Sequence, residues 1–150
     1  MKVFIGSDHR GFEVKNHLVG LLTEQGIEVI DLGPDQLDPD DDYNDYAVKV
    51  ALEVQKAASE GNTEEARGIL VCGSAHGVAI QANRFKGVRA IAAYDTELAR
   101  IGREHNDANV LCLSADFIEN SDIDNIVNIF LNTAFSGEER HIRRIKKLDA

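Results

Sequence analysis

The sequence predicts an α/β chain built on a doubly wound parallel sheet with helices on both faces. Three observations carry that prediction. Apolar runs rich in Val, Ile and Leu recur five times along the 150 residues, and a segment of helical periodicity follows each of them. The runs are continuous instead of alternating, as suits strands covered on both faces. Right-handed crossovers between successive parallel strands then distribute the helices over the two faces.

The first run, 2-KVFIGS-7, precedes a periodic segment over roughly 11–25. The second, 28-EVIDLG-33, leads into 34-PDQLDPDDDYNDY-46, which holds both prolines and a run of aspartates. That stretch is too polar and turn-prone for an element interior and reads as a solvated loop, with Tyr43 near the edge where such folds bind ligands. A helix over roughly 44–60 follows, with Asp45 as a cap or first-turn residue. The third run, 67-RGILVCG-73, is followed by helical spacing at 77–84, and the fourth, 87-GVRAIAAY-94, by 95–104 with Thr96 at the helix start. The fifth, 109-NVLCLSA-115, is followed by 121–135. The last piece, 138-EERHIRRIKKL-148, is basic in an acidic chain, and Ile142, Ile145 and Leu148 fall on one helical stripe. Such a helix docks its apolar face on its own subunit or on a partner. Arg140 and Arg144 lie four apart on a shared face and carry the forked donors that clamp a phosphate or a carboxylate.

A chain of 150 residues with 43% hydrophobic and 28% charged content fits one domain, 1–150, with its own core. No apolar run approaches the roughly 20 residues that cross a bilayer, and the start MKVFIGSD passes into polar residues where a signal peptide would stay apolar. A cytoplasmic protein without membrane contact is expected. The net charge of −10 speaks against a nucleic-acid surface, because phosphate neutralisation needs a basic face. A binder of small anions with this composition must gather its few cations locally. Cys72 and Cys112 are expected to be free thiols in a reducing compartment, and Cys112, in mid-strand, reads as core. His17 reads as a helix-surface residue.

In a doubly wound sheet, ligands bind outside the carboxyl ends of the strands. The rule selects Asp8 and His9 after the first strand, Tyr43 after the second and Cys72 to Gly77 after the third. It adds Tyr94 and Asp95 after the fourth and Ser114 to Asp116 after the fifth. The loop 72-CGSAHG-77 lacks both the G-x-G-x-x-G spacing of dinucleotide binders and the G-K-[ST] of a phosphate loop. Its backbone N–H groups, entering a helix, suit a developing oxyanion and favour a Cys72 thiolate able to act as a general base. The plainer reading of Cys72 is a small core residue at the end of a buried strand. A second cluster, 104-EHNDAN-109, crowds a histidine and two asparagines into a turn. Pairing His105 with 7-SDH-9 makes a His and Asp set for proton transfer to sugar oxygens, without metal-ligand spacing.

Taken together, 5-IGSDHRGFEVK-15, 42-DYNDYA-47, 68-GILVCGSAHGVAIQAN-83, 103-REHNDANVL-111 and 140-RHIRR-144 resemble the type B ribose-5-phosphate isomerases and their galactose-6-phosphate isomerase relatives. The resemblance covers nearly the whole chain in order. It implies a Rossmann-like three-layer α/β/α sandwich with a five-stranded parallel sheet and a C-terminal helix that packs on a partner subunit. It implies a homodimer or tetramer whose active site is shared between two chains, and an aldose–ketose isomerase of sugar phosphates working through a cis-enediolate without metal or organic cofactor. By matching position, Cys72 would be the base moving a proton between C2 and C1, and Ser74 would relay hydroxyl protons. The amides of Gly73 to Gly77 would hold the enediolate charge, and Asp8 and His105 would assist ring opening. Tyr43 and Asn106 would contact sugar hydroxyls, while His9, Arg140 and Arg144 would hold the phosphate, with His105 and Asn106 arriving from the neighbouring subunit. D-Ribose 5-phosphate is the leading substrate; allose or galactose 6-phosphate, a tetrulose phosphate, or a non-catalytic sugar-phosphate-binding subunit are the alternatives.

Two positions depart from the family pattern. Ala75 stands where a glycine is usual, a strained choice if that residue takes a positive φ and an easy one if φ is helical. Asp116 stands where many members carry a phosphate-binding arginine. A carboxylate there repels a phosphate dianion unless it turns away, or Arg10 or His76 supplies the cation.

Overall fold

The structure, a computed structural model, describes residues 1–61 and 65–149. Five strands form one wholly parallel sheet: β1 (Lys2–Ser7), β2 (Glu28–Asp31), β3 (Ala66–Cys72), β4 (Ala90–Ala92) and β5 (Val110–Ser114), in the order β2-β1-β3-β5-β4. Six helices surround them: α1 (Phe12–Glu24), α2 (Tyr43–Ser59), α3 (His76–Ala82), α4 (Thr96–Asn106), α5 (Asn120–Asn132) and α6 (Glu139–Ile145). This is the doubly wound parallel sheet that the continuous apolar runs predict, in the Rossmann-like three-layer form that the resemblance implies. Among the described residues no helix is long and apolar enough to cross a membrane.

The two faces of the sheet follow from strand alternation. In β3, Ile69 and Val71 join Leu18 and Leu22 of α1, Ala99 of α4 and Ile123, Ile126 and Phe130 of α5 in one buried cluster. Leu70 and Cys72 point the other way, into a cluster with Ala47, Val50, Ala51 and Val54 of α2 and Val78 and Ala82 of α3. Burying one such aliphatic side chain contributes roughly 1.5–3 kcal/mol, so both layers contribute to holding the sheet between them. The order reverses between β1 and β3, whose connections leave in opposite directions, and their carboxyl ends frame the crevice where such folds bind ligands.

β4 is shorter than its apolar run suggests. Ladder pairing with β5 covers only Ala90–Ala92, and side chains take part where the strand begins. Arg89 donates its backbone N–H to Asn109 Oδ1 at 2.7 Å, and on the outer edge Asn83 accepts from Ala90 N and donates to Ala90 O, both at 2.8 Å. The acidic stretch also ends sooner than expected, since Tyr43 to Tyr46 already form the first turn of α2, with Asp45 in it. At the fourth unit Asp95 is the residue that caps α4, accepting from Leu98 N at 2.7 Å, and Thr96 is the first helical residue.

α6 packs on α4 of its own chain. Arg103, fully buried, donates to Thr133 O at 3.1 Å and to Ala108 O at 2.6 Å, and Ser136 N donates to Glu104 O at 3.1 Å. Those bonds lead the chain back beneath the end of α4, where His141 of α6 is buried with its ring 4.5 Å from that of His105. The apolar stripe read from the sequence is only partly covered: Ile142 and Ile145 are half-buried and Leu148 is exposed.

Candidate active site

Cys72 ends β3 on the α2–α3 side, 4% exposed, at the floor of the crevice. The chain after it is pinned from β5. Ala115 N donates to Cys72 O at 2.9 Å, Asp116 N to Gly73 O at 3.1 Å and Ser114 Oγ to Gly73 O at 2.6 Å. From β4's end, the Tyr94 hydroxyl donates to Ser74 O at 2.7 Å. With its carbonyls engaged in this way, the loop enters α3, whose first turn has N–H groups with no partner inside the helix. Tyr94 titrates above its ordinary range, through burial first and the charge of Cys72 second, and burial followed by Cys72 likewise pushes the Cys112 thiol up. Cys112 is core, as its mid-strand position predicts.

Ala75 turns the loop into α3 with φ 68° and ψ −16°, a left-handed conformation at a fully buried residue. Of the two possibilities left open for this position, the structure takes the strained one. Gly77, two residues on, is a glycine for a steric reason: a Cβ there would fall 2.6 Å from Cζ of Tyr43. The Tyr43 ring therefore lies directly against the loop, although the residue opens α2 and is 37% exposed.

The turn after β1 supplies the next groups. Asp8 is 6% exposed and caps the 3-10 turn His9–Gly11, its Oδ1 accepting from Arg10 N at 2.9 Å and Gly11 N at 3.1 Å. Burial raises its carboxyl above the usual range against those two hydrogen bonds. His9 reaches toward the β2–α2 loop and Arg10 toward the β5–α5 loop. The Arg10 Nη2 donates to Asp116 Oδ2 at 2.6 Å, so the departure at Asp116 is answered by a guanidinium on the adjacent loop. Asp116 Oδ2 lies only 2.8 Å from where a Cβ on Gly73 would stand.

The remaining candidates stand elsewhere. Because the strands are parallel, every strand ends on one edge, and each following helix returns to the other. α4 begins beside Tyr94 and, after 11 residues or about 16 Å of rise, delivers His105 and Asn106 to the opposite edge. Arg89 Nε donates to Asn106 O at 3.1 Å there. α6 lies on the same side, with Arg140 donating to Glu138 Oε2 at 2.7 Å and Arg144 exposed. Within one chain α4 carries His105 away from Asp8 and onto His141, so His105 and 7-SDH-9 do not meet inside a single chain. His17 is at the surface, 2.8 Å from Asp124 Oδ1.

The sequence reading singles out Asp8, His9, Tyr43, Cys72, Gly73, Ser74 and Gly77, which the structure places on the carboxyl edge. It overlooks Asp41, whose Oδ1 accepts from both His9 N at 3.0 Å and His9 Nδ1 at 2.7 Å. Nothing in the aspartate run distinguishes it from Asp40 or Asp42. The latch of Tyr94 on Ser74 was also beyond reach, although strand-end position singles out Tyr94 itself.

A family model described as ribose/galactose isomerase matches residues 3–148. A probable ribose-5-phosphate isomerase B of Mycoplasma pneumoniae is 42% identical, over 99% of this chain and 93% of that protein. Ribose-5-phosphate isomerase B of Escherichia coli is 36% identical over 99% of this chain and 95% of its own length. Among solved structures, ribose-5-phosphate isomerase B from Mycoplasma genitalium with bound ribulose-5-phosphate superimposes with a TM-score of 0.91 at 41% identity, covering 98% of this chain and 93% of that one.

Proposed function

Because this chain belongs to the ribose/galactose isomerase family, we propose that it interconverts D-ribose 5-phosphate and D-ribulose 5-phosphate, with Cys72 as the base. The observation that carries the reading is the placement of Cys72 at the floor of the crevice, beside a loop whose carbonyls are already engaged. Proton transfer between adjacent carbons requires one base reachable from both, fixed donors for the enediolate oxygen and exclusion of water. Cys72 takes the proton from C2 of the open-chain aldose and returns it to C1. Ser74 relays the hydroxyl proton, and the N–H groups of Gly73 to Gly77 hold the charge on the cis-enediolate. Asp8, with its carboxyl biased toward the protonated form, and His105 assist ring opening. Tyr43 and Asn106 contact sugar hydroxyls.

His9, Arg140 and Arg144 bind the phosphate, remote from C1 and C2, so that its binding energy orients the reacting carbons. The division of these residues between the two edges of the sheet supports an active site shared between two chains in a homodimer or a dimer of dimers. His105 and Asn106 belong to the second subunit, and Arg140 and Arg144, on the same edge, join them. The partly uncovered stripe on α6 suits contact with that subunit. Neutralisation of Asp116 by Arg10 favours a catalytic subunit over one whose phosphate site is disabled. A cytoplasmic location belongs to the same proposal.

The test is isomerisation of D-ribose 5-phosphate by the purified protein beside allose 6-phosphate and a tetrulose phosphate, with Cys72→Ala as control. Turnover of ribose 5-phosphate that the control abolishes supports the reading. Full activity in the control removes Cys72 as base, and turnover of another sugar phosphate alone moves the substrate assignment.

A further inference from the structure

The β2–α2 loop presents Asp38, Asp40 and Asp42 to solvent, whereas the Asp41 side chain is turned inward and only 5% exposed. Its Oδ1 receives two hydrogen bonds from one residue, the backbone N–H and ring Nδ1 of His9. A carboxylate accepts only, so Nδ1 must carry the proton. That fixes the tautomer: in neutral His9 the other nitrogen, Nε2, is an acceptor and repels an anion, and in the imidazolium it is a donor. Among the described residues Nε2 has no hydrogen-bond partner, and the His9 side chain is 32% exposed beside the crevice.

We propose that Asp41 is a positioning residue for the substrate's phosphate, orienting His9 through Nδ1 so that protonated Nε2 is presented to the anion; the role rests on the isomerase reading given above. The electrostatics agree. The pKa of His9 is raised, first by the hydrogen bond it donates to Asp41, with the charges of Asp8 and Asp41 adding to it and burial and Arg10 opposing it. On the far side of Asp41, the Tyr46 phenol is pushed up by burial, by Asp41 itself, and by Asp38 and Asp45. The acidic run thus has two populations: exposed carboxylates that solvate the loop, and one that faces the site. A strand-to-helix loop with no other purpose has no need to bury a carboxylate against a histidine, because burial of a charge is costly unless it is paired.

The experiment follows His9 by its ring nitrogen resonances in the full-length protein across pH, with and without inorganic phosphate. In the wild type, phosphate is expected to raise the pH at which His9 titrates. In Asp41→Asn, which keeps an acceptor for Nδ1 but removes the charge, His9 should titrate at lower pH. KM for ribose 5-phosphate should then rise by roughly three- to tenfold, with a smaller change in kcat. Identical His9 titration in wild type and Asp41→Asn overturns the proposal, as does a loss confined to kcat. If Asp41→Asn fails to fold, the wild-type titration decides alone, since a His9 titration indifferent to phosphate also refutes the role. Neither titration needs turnover: an inactive protein whose His9 responds in this way counts against the isomerase reading and leaves Asp41 in place.

Discussion

Arg10 and Asp116 meet across the loop that follows Cys72, with Nη2 2.6 Å from Oδ2 and the pair spanning Gly73 from the turn after β1 to the turn after β5. Both side chains keep contact with water, Arg10 at 53% and Asp116 at 32% exposed, so the bond itself contributes little stability. Its weight is electrostatic. A carboxylate about 5 Å from a developing oxyanion opposes it by up to about 3 kcal/mol at an effective dielectric near 20. Arg10→Ala is therefore expected to lower kcat/KM by roughly 10- to 100-fold. Asp116→Ala should be milder, and the double variant should recover most of the loss. Steady-state kinetics on the cycle decide it, and a double variant as poor as Arg10→Ala would show that Arg10 acts on the substrate directly.

Complementation of two inactive chains tests the shared site. Cys72→Ala should cost about 10²–10⁴-fold in kcat, the usual share of a general base, with a stability change of about 1 kcal/mol or less. His105→Ala removes a group from the opposite edge. If the site combines the carboxyl edge of one chain with the far edge of another, co-refolding the two variants at equal amounts restores about a quarter of wild-type activity, since half the dimers are mixed and each holds one intact site. No recovery above the sum of the separate variants would place both residues in a single chain's site.

The left-handed Ala75 gives a prediction on stability. Ala tolerates that region at a cost of about 1–2 kcal/mol, partly offset by burial of its methyl group, so Ala75→Gly should change unfolding free energy by no more than about 1 kcal/mol. Ala75→Val places a β-branched side chain in the same conformation at a site with no free space, and a loss of about 2–4 kcal/mol is expected. Urea denaturation measures both. A tolerated valine would mean the loop can leave the left-handed conformation.

The pH dependence of substrate binding should follow His9. Its pKa lies above the ordinary 6.5 in the folded protein. A group raised in this way contributes fully below the unfolded value, and its contribution is lost as pH rises through the folded value. KM should accordingly be lowest on the acid side of that transition, once the phosphate is a dianion, and should climb on the alkaline side. A KM profile flat across this window, measured with kcat recorded separately, would contradict an imidazolium at the phosphate.

The fold was legible because its signal is periodic: five continuous apolar runs require cover on both faces, and parallel pairing with alternating helices is the arrangement that supplies it. The carboxyl-edge rule then found Asp8, His9, Tyr43 and Cys72 without knowledge of any contact. Three features were not legible, each for a physical reason. Asp41 is chemically identical to its neighbours and differs only in which way the loop turns it. The left-handed Ala75 belongs to a loop that docks on β5 through Gly73, a contact between residues 41 positions apart. The shortness of β4 is the third: within 87-GVRAIAAY-94 ladder pairing covers only Ala90–Ala92, and the Arg89 amide goes to the side chain of Asn109, a partner that leaves no trace in hydrophobic periodicity.

The amide of Asn83, bonded at both ends to Ala90, copies one rung of a β-ladder on the outermost strand. An open sheet is a template at each margin, and its exposed peptide groups recruit whatever extended chain drifts past. Here the end of α3 occupies that margin with a single side chain, so sheet growth at Ala90 must first displace an intramolecular pair that is always at hand. The amide thus serves as a stopper against aggregation, a safeguard in a cell crowded with nascent chains.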